Sequence, residues 1–356
     1  MYLVAQLVRR NIVFSPVCAV EILQNHCDRH LSNGDFKSNF GVRAYGDWFW
    51  AGAYVTGPTS GAMHAATGSV RGPNTTGGPT ADIPPDGTSE QLGGYARGAV
   101  HFGDTKQYSI HLGGDFLEVF EAPYDYVTGA RALSFADRPE LRIDPTQIVG
   151  TNIQATVTGG AVSNYTNSIQ NVTHAQVYSV EAAGNIGSLF VQGEYFWFDV
   201  ERRLFSYSSS TVTGPTLHFD GGYIEAGWTI TGETRTYNAA AGAYNGIVPA
   251  HPWAWKSGDW GAFEIAARYS VIDLNDRLGF PDAAFGGKQT IYAAGLNWYA
   301  TKNIRFMLDY LHGNIDKLAG PTEFVVGAKP PPPSGGLLYN VGAKFDAVAM
   351  RTQIAF

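Results

Sequence analysis

Three things are scarce in this chain, and each scarcity narrows what it can be. Hydrophobic residues make up 44% of the sequence, yet they never run together for the ~18 positions that a membrane-spanning helix needs. Charged residues are only 15%, against about 25% in ordinary soluble domains. There are two cysteines, Cys18 and Cys27, so the chain is no disulfide-built scaffold. His26, Cys27 and His30 lie close together, but no Cys-x-x-Cys pair supports a metal site. No metal and no cofactor are expected. A Gly-x-Ser-x-Gly elbow is absent, and nothing in the sequence fixes His111 or His174 beside a serine, so no enzyme is expected. The formal net charge of -7 argues against a nucleic-acid partner and supplies no bulk attraction for anions. Met1 to Val4 leads quickly to Arg9 and Arg10 without a small-residue cleavage site, so the expectation is that this stretch is not a secretory leader.

What is present is alternation. In Ile304 to Asn314, the residues Ile304, Phe306, Leu308 and Tyr310 fall on one face, and Arg305 and Asp309 on the other. The last stretch, Val341 to Phe356, places Val348, Met350, Ile354 and Phe356 opposite Ala349, Arg351 and Gln353. Similar patterns cover Phe36 to Tyr45, Trp48 to Thr56, Leu92 to Phe102, Tyr108 to Leu117, His174 to Ala183, Leu189 to Val200, Phe219 to Tyr237, Gly261 to Val271 and Ile291 to Ala300. That gives about eleven strands, or twelve if Thr151 to Val157 adds a short one. Gly46-Asp47, Gly103 to Lys106, Gly184 to Gly187 and Thr301 to Asn303 are tight turns that fall on one side. The long connections fall on the other, except Asn238 to Trp260. Aromatics at strand ends (Tyr292, Trp298, Tyr299, Tyr310) read as a girdle. Alternation alone also suits a soluble sandwich or jelly roll. The girdle, the turn–loop asymmetry and the terminal Phe356 favour an antiparallel transmembrane β-barrel of a Gram-negative outer membrane.

The stretches Phe40–Pro58 (FGVRAYGDWFWAGAYVTGP), Ser134–Asp144 (SFADRPELRID), Gly221–Asn238 (GGYIEAGWTITGETRTYN), Gly261–Asp276 (GAFEIAARYSVIDLND), Ile291–Tyr310 (IYAAGLNWYATKNIRFMLDY) and Met350–Phe356 (MRTQIAF) resemble the phosphate-selective porin O and P family. The resemblance covers roughly Gly34 to Phe356. It implies a sixteen-stranded homotrimeric porin with in-folded loops and an arginine-containing lumen. Partners implied are outer-membrane lipid, the barrel-insertion machinery acting on Phe356, and small anions or hydrophilic solutes. Residues 1–35 do not resemble the family, and 36–356 form the barrel region. With eleven or twelve strands in place of sixteen, and no leader, the expectation is the C-terminal part of a porin, for which a non-conducting fragment is the rival reading.

A channel acts through its diameter and the charges along its wall. By parity, Arg43, Arg97, Glu264, Arg268, Arg305, Asp309 and Arg351 face the lumen. They either form an electrostatic path for anions, arginine being the side chain whose planar fork suits phosphate, or neutralise one another across neighbouring strands. Arg138 and Arg142, in the longest connection, Glu121 to Asn171, are the candidates for a constriction, against the alternative that Asp137, Glu140 and Asp144 beside them make the segment a self-neutralised turn.

Overall fold

The computed structural model describes residues 37–59, 92–103, 107–122, 124–125, 130–131, 133–137, 139–140, 148–153, 157–158, 161–162, 170–205, 211–213, 215–278, 283–319, 339–340 and 342–355. No helix occurs among them. Eleven strands form the wall: β1 Lys37–Tyr45, β2 Phe49–Thr59, β3 Leu92–Phe102, β4 Tyr108–Glu121, β5 Gln170–Ile186, β6 Leu189–Phe205, β7 Leu217–Thr229, β8 Ala262–Asp276, β9 Ala284–Tyr299, β10 Ile304–Asp316 and β11 Ala343–Ile354. Each pairs antiparallel with the next in sequence, and the short strand Thr211–Thr213 adds to the end of β6. The wall is therefore a meander, and the count agrees with the one obtained from turn spacing. Among the described residues β1 and β11 do not pair with each other, so the sheet is open.

The faces sort by parity. Val180, Ile224, Ile265, Leu296, Leu308 and Met350 all stand exposed on the outer face, an apolar band that only lipid would cover without cost. The opposite face carries Arg97, His111, Asp115, Glu264 and Arg305, all buried. In β2, which is apolar on both sides, Trp50 is buried while Ala51, Ala53 and Val55 are exposed, which fixes the inward set as Trp50, Gly52 and Tyr54. One member of the expected girdle is misplaced. Tyr299 has the opposite parity to Trp298, points inward, and donates its hydroxyl to Glu264 at 2.7 Å.

Two segments cover the inner face from opposite rims. At the long-loop rim, Leu133–Asp137 and Val149–Ile153 pair as a hairpin that packs on β9 and touches β5 and β8. Its Leu133, Phe135 and Val149 join Val177, Phe196, Phe198, Phe219, Ile272 and Leu274 in the principal apolar cluster. At the tight-turn rim the expected strand Phe219 to Tyr237 ends early, at Thr229. Its pairing stops with Thr229 opposite Glu264. The chain turns at Ile230 and Thr231, and Gly232 takes a φ of 99°, which a β strand cannot hold. Residues from Arg235 to Ile247 then fold inward, whereas 251–260 stay largely exposed. The expected loop Asp273 to Gly287 is in turn shorter, because β8 runs on to Asp276 and β9 starts at Ala284. A loop that reaches β2 at one end and β8 at the other requires the sheet between them to curl.

Candidate functional site: the inner wall and its two in-folded segments

The tight-turn segment is built locally and docked by polar bonds. Asn238 Oδ1 accepts from the backbone N–H groups of Ala240 and Ala241 at 3.1 and 3.3 Å, an Asx turn. That turn closes a small hairpin pairing Tyr237–Asn238 with Ala243–Tyr244. Gly242 sits inside it at φ 64°, and a Cβ there would lie 2.8 Å from the Trp50 ring and 3.1 Å from Arg97 Nη1. The indole N–H of Trp50 donates to Ala240 O at 3.2 Å, Arg97 Nη2 donates to Gly242 O at 2.9 Å, and Asn185 Nδ2 donates to Arg235 O at 2.6 Å. Tyr237 stacks on His101 at 3.8 Å, and its hydroxyl meets His111 Nδ1 at 3.0 Å. Burial pushes the Tyr237 phenol up to about 12. His111 Nε2 faces Glu181 Oε1 at 3.0 Å.

Charges on the inner wall lie in three groups. In the first, Arg97 directs Nε and Nη2 at Glu181 Oε1 from 3.0 and 2.7 Å, with its guanidinium 5.2 Å over Trp50. Asp115 lies 3.8 Å from the same guanidinium and takes hydrogen bonds from Tyr95 at 2.5 Å and Ser179 at 3.1 Å. Glu194 is 4% exposed, and neither of its oxygens has a hydrogen-bond partner among the described residues. In the second group Glu264 takes Arg235 Nη2 at 2.7 Å, Tyr299 OH at 2.7 Å and Asn297 Nδ2 at 3.1 Å. Arg305 adjoins it through Tyr299 at 3.4 Å and donates to Gln353 at 2.9 Å. The third group centres on Arg268, held by Glu140 and Glu225 at 3.1 Å each and lying 4.1 Å over the Tyr223 ring.

The parity candidates thus divide. Arg97, Glu264, Arg268 and Arg305 stand on the inner wall, each within a polar network. Glu225 lies directly opposite Arg268 on the adjacent strand, which is the cross-strand neutralisation weighed from the sequence. Glu264 instead takes its cation from the in-folded segment. Asp309 and Arg351 share the inner face and are half-buried. Arg43 stays exposed on the edge strand, 5.8 Å from the Tyr45 ring. Arg138, Arg142 and Phe356 lie outside the described residues, as do Cys18, Cys27, His26 and His30. Sequence reasoning missed Arg235, Glu181 and Glu194, and took Glu140 only as a neutraliser of Arg138 and Arg142. Glu181 and Glu194 share inward parity with Ser179 and Gln192 and were legible. Arg235 was not, because it was assigned to the end of a strand that in fact stops at Thr229.

One pair has the form of a nucleophile and its base: Ser109 Oγ lies 2.6 Å from His101 Nε2. Ser109 is fully buried, with Tyr244 OH bonded to it at 2.6 Å and Tyr237 stacked on the histidine. These rings cover the hydroxyl, and the pair helps to dock the segment.

An antiparallel meander with an apolar outside, a charged inside and segments folded across the inside is the wall of a porin-type barrel. The chain belongs to the phosphate-selective porin O and P family, whose model matches residues 30–356. It is 28% identical over 231 residues to an uncharacterized protein of Caulobacter vibrioides, covering 65% of this chain and 39% of that one. It is 24% identical over 146 residues to porin O of Pseudomonas aeruginosa, covering 40% of this chain and 30% of that porin. The matched part is thus well under half the length of either curated relative. Superposition on the open form of the ferric-catecholate import receptor Fiu of Escherichia coli covers 89% of this chain and 48% of the receptor, at 10% identity and a TM-score of 0.28, too low to inform the reading. Membership implies a place in the bacterial outer membrane.

Proposed function

We propose that this chain forms the wall of a passive diffusion channel for small hydrophilic solutes and ions. The observation that carries the reading is the split between the two faces. An apolar exterior with Ile224, Leu296 and Met350 exposed backs a wall whose inward residues include Arg97, Asp115, Glu181, Glu264 and Arg305. The two in-folded segments narrow the path from either rim. Such a protein does no covalent chemistry, and its selectivity follows from bore and fixed charge. The expected result is stepwise ionic conductance on reconstitution into planar bilayers, with liposomes swelling in small sugars and not in large ones. Bilayers that stay silent while the protein is folded and inserted would overturn it.

Silence would favour the second reading, a non-conducting structural barrel. One observation supports that reading: β1 and β11 leave their outer backbone groups unpaired with each other, which is costly in hydrocarbon.

Within the channel reading, Arg138 and Arg142 form the constriction of the long-loop rim. The described Asp137 and Glu140 beside them bond to wall residues Gln289 and Ser270, at 2.5 and 2.6 Å, which supports an in-folded course for this stretch. Charges in a narrow, water-poor passage are less screened than those on a wide wall. Arg138→Ala with Arg142→Ala should therefore move the reversal potential toward cation preference more than Arg268→Ala with Arg305→Ala. Equal shifts would place the constriction elsewhere.

A further inference from the structure

We infer that residues 251–260 are a membrane-surface anchor, a small hairpin whose Trp253, Trp255 and Trp260 enter the headgroup layer of the phospholipid leaflet at the tight-turn rim. The inference goes beyond conductance and holds whether or not the wall passes ions.

Asn238 to Trp260 is a long connection on the side of the tight turns, and docking on the inner wall accounts only for its first part. Every residue from His251 to Gly258 is exposed, as is Trp260. Trp255 is 83% exposed and Trp260 61%. Three indoles left in water within so short a stretch mark a surface that something covers. The hairpin has a defined seat. Ala254 bridges Asp259, and Gly258 takes a φ of 75° in the turn between them. Trp253 N–H donates to Ala300 O at 2.7 Å, Gly261 N–H to His251 O at 3.0 Å, and the Trp298 indole N–H to Trp260 O at 2.6 Å. Gly261 permits the close approach to β9, since a Cβ there would lie 2.2 Å from Tyr299 O.

The contact that identifies the occupant is made by Trp253, whose ring meets Trp298 edge-on at 6.1 Å. Trp298 has the outward parity of Leu296. It stacks with Phe263 and Phe306, its neighbours on the two adjacent strands, at 6.1 and 5.0 Å. The exposed indoles therefore continue the lipid-facing band past the ends of β8 and β9. Tight turns of outer-membrane barrels face the periplasm, so the lipid met at this rim is the phospholipid of the inner leaflet. An indole joins a wide apolar body to one N–H donor, which suits the boundary between acyl chains and water. The hairpin's charges, Lys256 and Asp259, offset each other, so attraction to anionic lipid contributes little. Zwitterionic headgroups suffice.

The test compares the full chain with its Trp255→Phe variant, each inserted in phosphatidylcholine vesicles. The difference between their emission spectra isolates one of the eight tryptophans. The substitution alters a side chain that stands clear of the wall, so the fold is kept. The expected difference signal is blue-shifted from indole in water. It loses most of its intensity to lipids brominated near the headgroup end of the acyl chains, less to bromine near the chain ends, and little to aqueous acrylamide. Added anionic lipid or salt should leave it unchanged. A water-like signal, quenched by acrylamide and untouched by brominated lipid, overturns the inference. So does a blue shift that appears only as the protein-to-lipid ratio rises, which would make a second copy of the chain the occupant. Conductance with a water-exposed Trp255 sinks this inference alone, whereas silent bilayers with a lipid-quenched Trp255 sink the channel reading alone.

Discussion

Consider the loss of Glu264, a residue 1% exposed that binds the in-folded segment to the wall. Its carboxylate receives Arg235, Tyr299 and Asn297. Glu264→Ala leaves the Arg235 guanidinium, itself 8% exposed, without a counter-charge. Breaking one side of a buried pair costs about 3–5 kcal/mol. Arg235 Nε already lacks a hydrogen-bond partner, so the geometry is incomplete and the lower end of that range is expected. Glu264→Gln keeps the shape and part of the hydrogen bonding and should cost about 1–3 kcal/mol. Adding Arg235→Met to Glu264→Gln removes the stranded cation, and a double-mutant cycle should show coupling of about 2 kcal/mol. Because the pair holds a loop and no strand, the segment should come loose before the sheet melts. Chymotrypsin should then cut after Tyr244, which is 1% exposed in the intact protein, while urea unfolding of the sheet shifts less. The reasoning is refuted if Glu264→Ala leaves Tyr244 protected, or if the cycle shows no coupling.

Two further outcomes follow from the same packing. Gly242→Ala puts a methyl group against Trp50 and Arg97 at a φ of 64°; strain of about 1–3 kcal/mol is expected, read as faster chymotryptic cleavage at Tyr237 and Tyr244 with the sheet intact. Phe135→Ala removes a ring that is 1% exposed and lies 5.7 and 5.5 Å from Phe198 and Phe219; the cost of about 3–5 kcal/mol should fall on the in-folded hairpin, so single-channel conductance rises while heat-modifiable migration is unchanged.

The wall was legible in the sequence because a membrane barrel imposes a period of two on every strand, and a slip of one residue would turn Arg305 toward lipid. Tight turns with Gly46, Gly103 and Gly187 gave the hairpins. Two regions were misread for identifiable reasons. Phe219 to Tyr237 alternates well enough through Trp228 and Ile230 to pass for continuous strand, and the turn at Ile230 and Thr231 with the φ of Gly232 shows the break. Tyr299 was taken for a girdle residue because it follows Trp298 at a strand end, whereas adjacent residues of a strand point to opposite faces. Cross-strand neutralisation could be weighed, but most partners of the wall charges could not be read. Arg97 to Glu181 spans 84 residues and reaches past β4 to the next strand but one, and Arg268 to Glu140 spans 128 and reaches a segment folded in from the long-loop rim; local periodicity encodes neither.

The segment 230–261 also has a consequence for time. Its bond to Trp50 joins positions 190 residues apart, and its bonds to Arg97 close chain lengths of 144 and 145. Contacts that distant form late, since the entropy of closing so long a loop must be met before they contribute. The sheet must therefore exist through β8 before the segment has anything to grip. Once seated, it works as a tie-rod across the arc from β2 to β8, fixing the chord and hence the radius to which the strands curl. A substitution that weakens its seated contacts therefore bears on the curl of the finished wall, and one that delays seating bears on the rate at which that wall is made.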